Sequence, residues 1–170
     1  EGSEDAPVLV LSNSLGTTRE LWERQARVLA DRFRLLTYDH PGHGASELPE
    51  VPSTVEALAG GLLALLDQLG LDLVSLCGVS LGGMVGMALS LEAPERIDRL
   101  VLACTSAYLG PPHAWAERAR IARTEGIEAI ADAVVGRWFT PEFSRAERET
   151  VARFRAMLVS TPPEVVLLTR

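Results

Sequence analysis

Cysteine is almost missing from this chain of 170 residues, which holds only Cys77 and Cys104. Neither belongs to a C-x-x-C pair and both sit in apolar, strand-like runs. They read as two buried free thiols of a reducing compartment, and a disulfide scaffold is set aside. Long hydrophobic runs are missing too, because Gly, Asp or Ser breaks each apolar stretch well before the roughly 20 residues of a membrane span. Positive charge is scarce: 16 basic against 23 acidic residues give a net charge of -7, which repels nucleic acid and anionic lipid at long range. The partners expected are small molecules or proteins, with no nucleic acid and no membrane; the oligomeric state stays unknown. No cationic leader with an apolar core opens the chain, so the expected location is cytoplasmic. Histidine is the scarcity that matters most, with only His40, His43 and His113.

What is present is an ordinary globular composition, 47% hydrophobic, at a length that suits one domain with a real core. Val8-Leu9-Val10-Leu11 is a continuous apolar run, as expected of a parallel strand covered on both faces. It stops at the turn-rich Ser12-Asn13-Ser14-Leu15-Gly16. Thr17-Thr18-Arg19-Glu20 then has capping-box spacing, followed by Leu21, Trp22, Gln25, Val28 and Leu29 at helical intervals.

The unit repeats. A second strand is predicted over 33–38, ending in Asp39-His40-Pro41-Gly42-His43-Gly44-Ala45-Ser46. Ser53-Thr54-Val55-Glu56 gives another capping box, and Val55, Leu58, Leu62, Leu65, Leu66 and Leu69 form one apolar stripe. A third strand is predicted over 71–77, a helix over 81–91 that must end before Pro94, and a fourth strand over 99–104. Strands alternating with helices imply an open parallel sheet of the α/β class.

Beyond Pro111-Pro112 the period turns helical, with Trp115, Ile121, Ile127, Ile130, Val134 and Trp138 on apolar faces. Ser144-Arg145-Ala146-Glu147 has capping-box spacing ahead of Val151, Phe154 and Leu158, and Thr161-Pro162-Pro163-Glu164 opens one more helix. We therefore read residues 1–111 as an α/β core and residues 112–170 as a helical lid that would bury little core alone.

Within this frame Gly78-Val79-Ser80-Leu81-Gly82 reads G-x-S-x-G. The match lies between a strand and a helix, the setting that places a nucleophilic serine on a strained turn at the carboxyl edge of the sheet. The plainer alternative is a helix start with Ser80 as N-cap. A nucleophile of this kind needs donors for the oxyanion of the attacked carbonyl. The expected donors are the backbone N–H groups of Leu81, at a helix N-terminus, and Leu15, in the loop after the first strand.

These stretches resemble the α/β-hydrolase family. Ser12-Asn13-Ser14-Leu15-Gly16 stands in the place of its oxyanion loop, Asp39 to Ser46 resembles its D-x-x-G-H-G-x-S turn, and Gly78 to Gly83 its elbow. Within that family LVLSNSLGT, YDHPGHGAS, APERIDRLVLACT and IADAVVGRWFTPEF most resemble the 3-oxoadipate enol-lactonases of bacterial aromatic degradation. Pro41 departs from them, since they usually carry Arg there. The resemblance implies attack by Ser80 on the lactone carbonyl, an acyl-enzyme, release of 3-oxoadipate, and no metal or organic cofactor. It also implies a pocket with a cation for the substrate carboxylate, for which Arg118, beside Trp115, and Arg137, beside Trp138, are the candidates. For each, the plainer reading is a solvated arginine or a core tryptophan.

The base is harder to find. In the chain order of this fold the acid and then the histidine follow the serine, so His40 and His43 come too early; His43 is read as stabilising its own turn. His113 has no suitably placed acid. The loop after the fourth strand, Cys104-Thr105-Ser106-Ala107-Tyr108, holds no carboxylate. The expectation is that acid and base follow Arg170, that Glu1 falls after an opening hairpin, and that these residues alone are inert. Ser80 argues against a dehalogenase, which would use Asp there. Another esterase, a cofactor-free haloperoxidase, or a non-catalytic binding module if the gene ends at Arg170, remain alternatives, and a parent fused to another enzyme of the pathway is untested.

Overall fold

The computed structural model describes residues 1–50, 54–108 and 110–167. Its centre is a four-stranded parallel sheet in the order β2-β1-β3-β4. The strands are β1 (Val8–Ser12), β2 (Arg34–Thr37), β3 (Val74–Val79) and β4 (Ile97–Ala103). Between them run α1 (Glu23–Leu29), α2 (Val55–Gln68) and α3 (Leu81–Glu92). The α/β class predicted from the alternation is the class observed.

Period-2 alternation sorts the strand side chains onto two covered faces. Leu9, Leu11 and Leu35 pack with Trp22 and Ala26, putting α1 on one side. Val10, Val74 and Leu76 pack with Leu58, Leu62 and Leu66 of α2 and with Val85 and Leu89 of α3 on the other. Full burial of such a side chain is worth roughly 1.5–3 kcal/mol, so the α2 stripe alone is a large part of what holds the sheet.

Several boundaries move from where the pattern placed them. The third strand runs over Val74–Val79 instead of 71–77, because its register is set by pairing: Leu9 opposite Ser75 and Ser12 opposite Gly78. Leu71 is buried ahead of the strand. The first helical unit is capped by Thr18, whose hydroxyl accepts from Glu20 N, while Thr17 is buried and donates its hydroxyl to Ser14 O. Thr54 caps α2 by accepting from Ala57 N; Ser53, the predicted cap, lies outside the described residues.

The two cysteines are corrected. Cys77 is half-buried and Cys104 is exposed, and neither is in a disulfide. Both follow from position: Cys77 points to the α1 side of β3, and Cys104 comes immediately after β4, an outer strand of the sheet on which only Ile97, Leu100 and Ala103 are half-buried.

The chain continues as α4 (Pro112–Glu125), α5 (Glu128–Val135), α6 (Pro141–Ala146) and α7 (Arg148–Val159), followed by a 3₁₀ turn, Pro163–Leu167. Ser144 is not a cap. It lies inside α6, and α7, the helix it was expected to open, follows Glu147 with no side-chain cap; α6 is capped by Thr140, which accepts from Phe143 N and is followed by Pro at the first helical position. These helices hold a cluster of their own, with Ala122, Ile127, Ala131, Val135 and Leu158 buried together, where little separate core was expected. Helix α7 docks on the sheet side of the molecule: Thr18 N donates to Met157 Sδ at 3.1 Å, and Arg153 pairs with Glu23 at 2.5 Å. Among the described residues no helix is long and apolar enough to cross a membrane.

Candidate active site

The strand order places a site before any side chain is considered. From β1 the chain moves out to β2 and then returns past β1 to β3, so the winding reverses between β1 and β3. At such a switch point two loops leave neighbouring strands in opposite directions and open a crevice at their carboxyl ends. Here those loops are residues 13–16 and the turn at Ser80.

Ser80 stands between the last residue of β3 and the first of α3 with φ 53 and ψ -112. A left-handed non-glycine residue costs of order 1–3 kcal/mol and persists only where its surroundings hold it. Ser80 is held at both ends: its N–H donates to Ala103 O at 3.0 Å, and its carbonyl accepts from Gly83 N, Met84 N and the Thr105 hydroxyl at 3.0, 3.1 and 2.7 Å. Among the described residues the Ser80 hydroxyl has no hydrogen-bond partner. An N-cap serine would accept from the first turn of α3, and Ser80 makes no such side-chain bond.

The turn is possible because its flanking positions lack a Cβ. One added to Gly78 would meet the carbonyl oxygen of Gly82, and one added to Gly82 would meet the backbone carbonyl of Ser12. That second approach brings Gly82 N within 2.9 Å of Asn13 O and ties the elbow to the loop after β1.

That loop is bound from several sides. Thr17 donates to Ser14 O through both its N–H and its hydroxyl, at 3.2 and 2.8 Å, and Asn13 Nδ2 donates to Tyr38 O at 2.8 Å. Gly16 N donates to His43 Nε2 at 2.9 Å, and His40 Nε2 lies 3.2 Å from Asn13 O. With these groups engaged, the N–H groups of Leu15 and Leu81 have no acceptor among the described residues.

Both histidines are fully buried. Burial disfavours the imidazolium, pulling His40 down to about 4 and His43 below its usual range. His43 was expected to stabilise its own turn; its Nδ1, 3.1 Å from Pro41 O, does so, but its other nitrogen reaches across to the loop after β1. His113 is exposed on α4.

Two cavities, of about 470 and 370 Å³, meet at Ser80; Ser14, Cys104, Arg137 and Trp138 also line both. The smaller one brings together Leu15, Trp115, Arg118, Arg137 and Trp138, the five candidate residues drawn from separate parts of the sequence, at the Ser80 side chain. Leu81 lies behind them, buried in the sheet core. The Arg118 guanidinium sits 4.9 Å over the Trp115 ring, and neither Arg118 nor Arg137 pairs with a carboxylate among the described residues. The larger cavity has an aromatic wall of Phe139, Phe143 and Phe154, with ring centroids 5.1 and 5.4 Å apart. Sequence reading missed this wall, the Thr105 hydroxyl and Cys104. Helical spacing around Phe154 was visible, but nothing in the pattern showed that it faces a cavity.

Comparison with known proteins agrees with the architecture. Residues 7–125 match the family described as the alpha/beta hydrolase fold. The chain is 38% identical over 152 residues to 3-oxoadipate enol-lactonase 2 of Acinetobacter baylyi, covering 89% of this chain and 57% of that protein. It is 34% identical over 173 residues to a putative carbamate hydrolase, RutD, of Stutzerimonas stutzeri, covering 98% of this chain and 64% of that one. The crystal structure of the enol-lactonase from Burkholderia xenovorans superimposes with a TM-score of 0.95 at 43% identity, over 98% of this chain and 65% of that one. The chain thus spans less than two thirds of the length of these relatives.

Proposed function

The chain belongs to the α/β-hydrolase fold family, and we propose that the complete protein hydrolyses 3-oxoadipate enol-lactone to 3-oxoadipate with Ser80 as nucleophile. Likeness to enol-lactonases at 38% and 43% identity supports lactone hydrolysis in general. The observation that carries the serine mechanism is Ser80 itself: a strained backbone tied at both ends, and a hydroxyl left free at the wall of a cavity.

In this reading Ser80 Oγ attacks the lactone carbonyl, and the oxyanion forms facing the unengaged N–H groups of Leu15 and Leu81. Collapse of the tetrahedral intermediate breaks the ring C–O bond. The leaving oxygen departs as an enolate, a far better leaving group than an alkoxide, takes a proton, and tautomerises to the ketone. Water then attacks the acyl-enzyme, releasing the dicarboxylate and restoring Ser80. The scheme uses no metal or organic cofactor.

The remaining parts follow the same logic. Arg118 and Arg137 hold the substrate carboxylate, with Trp115 and Trp138 as apolar walls, and residues 112–170 act as a lid. In this reading the general base and acid come from outside these residues: His40 and His43 are committed beneath the loop, neither is bonded to Ser80, and His113 is exposed on α4. A second reading, hydrolysis of a carbamate, rests on the likeness to RutD; it would use the same nucleophile and oxyanion donors.

The test is to assay the complete protein on 3-oxoadipate enol-lactone, a simple aryl acetate and an alkyl carbamate, with Ser80→Ala as control. The lactone should be preferred in kcat/KM and Ser80→Ala should lose about 10³-fold or more. Equal or better efficiency on the acetate or carbamate removes the lactonase reading; undiminished activity of Ser80→Ala removes the nucleophile.

A further inference from the structure

His43 is a buried ionisable side chain with no step in the chemistry above, yet it touches the loop that carries one oxyanion donor. Gly16 N–H is the donor of their 2.9 Å bond, so Nε2 must carry the lone pair. The proton of the neutral ring is then on Nδ1, facing Pro41 O at 3.1 Å. Zero solvent exposure keeps the ring in that neutral form, with a titration lowered chiefly by burial.

The peptide units on either side of Leu15 are fixed from different directions. Thr17 holds the carbonyl of the Ser14–Leu15 peptide. His43 holds the N–H of the Leu15–Gly16 peptide. Gly16 has φ 74 at the third position of a turn closed by Thr17 N and Ser14 O. In such a turn the Leu15 N–H lies on the first peptide and the Gly16 N–H on the central one, so the bond to His43 pins the central peptide and, together with Thr17 on Ser14 O, holds in place the turn that carries the Leu15 N–H.

We propose that His43 is a positioning residue for the oxyanion hole: as a neutral acceptor for Gly16 N–H it anchors the turn that carries the Leu15 N–H, and so holds that donor facing the carbonyl attacked by Ser80. The proposal rests on the serine-hydrolase reading given above.

It is tested on the complete protein with para-nitrophenyl acetate and the matching thionoacetate. A thiocarbonyl sulfur is larger and accepts hydrogen bonds poorly, so an oxyanion hole favours the oxygen ester. His43→Leu should lower kcat on the oxygen ester about tenfold, a fraction of the 10²–10³ lost with a whole donor, with KM within about twofold. Its rate on the thionoester should barely change, so the oxygen-to-sulfur preference collapses. His43→Gln, which keeps an acceptor, should restore most of that preference. If His43→Leu does not fold, His43→Phe, which fills the buried space without an acceptor, takes its place. An equal loss on both esters, or an unchanged preference, overturns the proposal. Ser80→Ala is run beside them: if it keeps full activity the serine reading has failed, whereas an inactive Ser80→Ala with an unchanged preference in the His43 variants defeats the positioning role alone.

Discussion

The Thr105 hydroxyl donates a 2.7 Å hydrogen bond to the carbonyl oxygen of Ser80, the residue on which the elbow turns. With the bond from Ser80 N to Ala103 O, it clamps the strained residue from β4 and the loop after it. The strand beside the elbow thus holds the conformation that the elbow sequence only permits.

Thr105→Val keeps the shape and removes the donor. It should lower stability by about 1 kcal/mol, the usual net worth of such a bond, and reduce kcat several-fold with little change in KM. Urea unfolding and steady-state kinetics on an aryl ester check this; a stability loss with unchanged kcat would restrict Thr105 to a structural role.

Two glycines should respond oppositely to alanine. In Gly82→Ala the new Cβ meets the backbone of Ser12, which cannot move aside, so a loss of about 3 kcal/mol or more, or failure to fold, is expected. Gly61 lies inside α2 with nothing within 4 Å of a Cβ, so Gly61→Ala should gain about 0.5–1 kcal/mol from helix propensity. Urea midpoints decide both, and a destabilised Gly61→Ala would contradict the packing of α2.

Buried His40 makes stability depend on pH. Its titration is lowered from 6.5 to about 4, so between those values the unfolded chain binds a proton that the folded chain refuses. The associated stability is present above about 6.5 and is lost as pH falls toward 4, by roughly 3 kcal/mol at about 1.4 kcal/mol per unit. His43 acts in the same direction. Urea midpoints at pH about 7 and about 4 should show a smaller drop for His40→Gln than for the unsubstituted protein; equal drops would mean that His40 titrates normally.

Arg118→Met and Arg137→Met separate charge recognition from packing. If these guanidinium groups hold a carboxylate, KM for the carboxylate-bearing lactone should rise about tenfold or more, while KM for a neutral aryl ester stays within about twofold. Equal effects on both substrates would assign these arginines to the cavity wall alone.

The reading of the chain as a sequence succeeded where the signal is local and periodic. Apolar runs gave parallel strands, the stripe from Leu58 to Leu66 gave α2, and G-x-S-x-G between strand and helix located the elbow. It erred where capping-box spacing alone was read as a helix start: Thr54 caps α2 although Ser53 fits the spacing, and Ser144, read as opening the helix that became α7, lies inside α6, whose cap is Thr140. It erred again on Cys104, because an apolar strand-like run does not tell an outer strand from a central one.

What the sequence by itself determined is the class of the fold and the turn on which Ser80 sits, since both follow from residue periodicity and from backbone sterics within a few positions. Only the tertiary structure decided that Leu15, Trp115, Arg118, Arg137 and Trp138 meet at one cavity, and which groups hold the loops around Ser80. His43 and Gly16 are 27 positions apart, and Thr105 and Ser80 are 25. Contacts at such separations are made because β1 pairs with β2 and β3 with β4, which brings together the loops leaving neighbouring strands, and they leave no periodic trace along the chain.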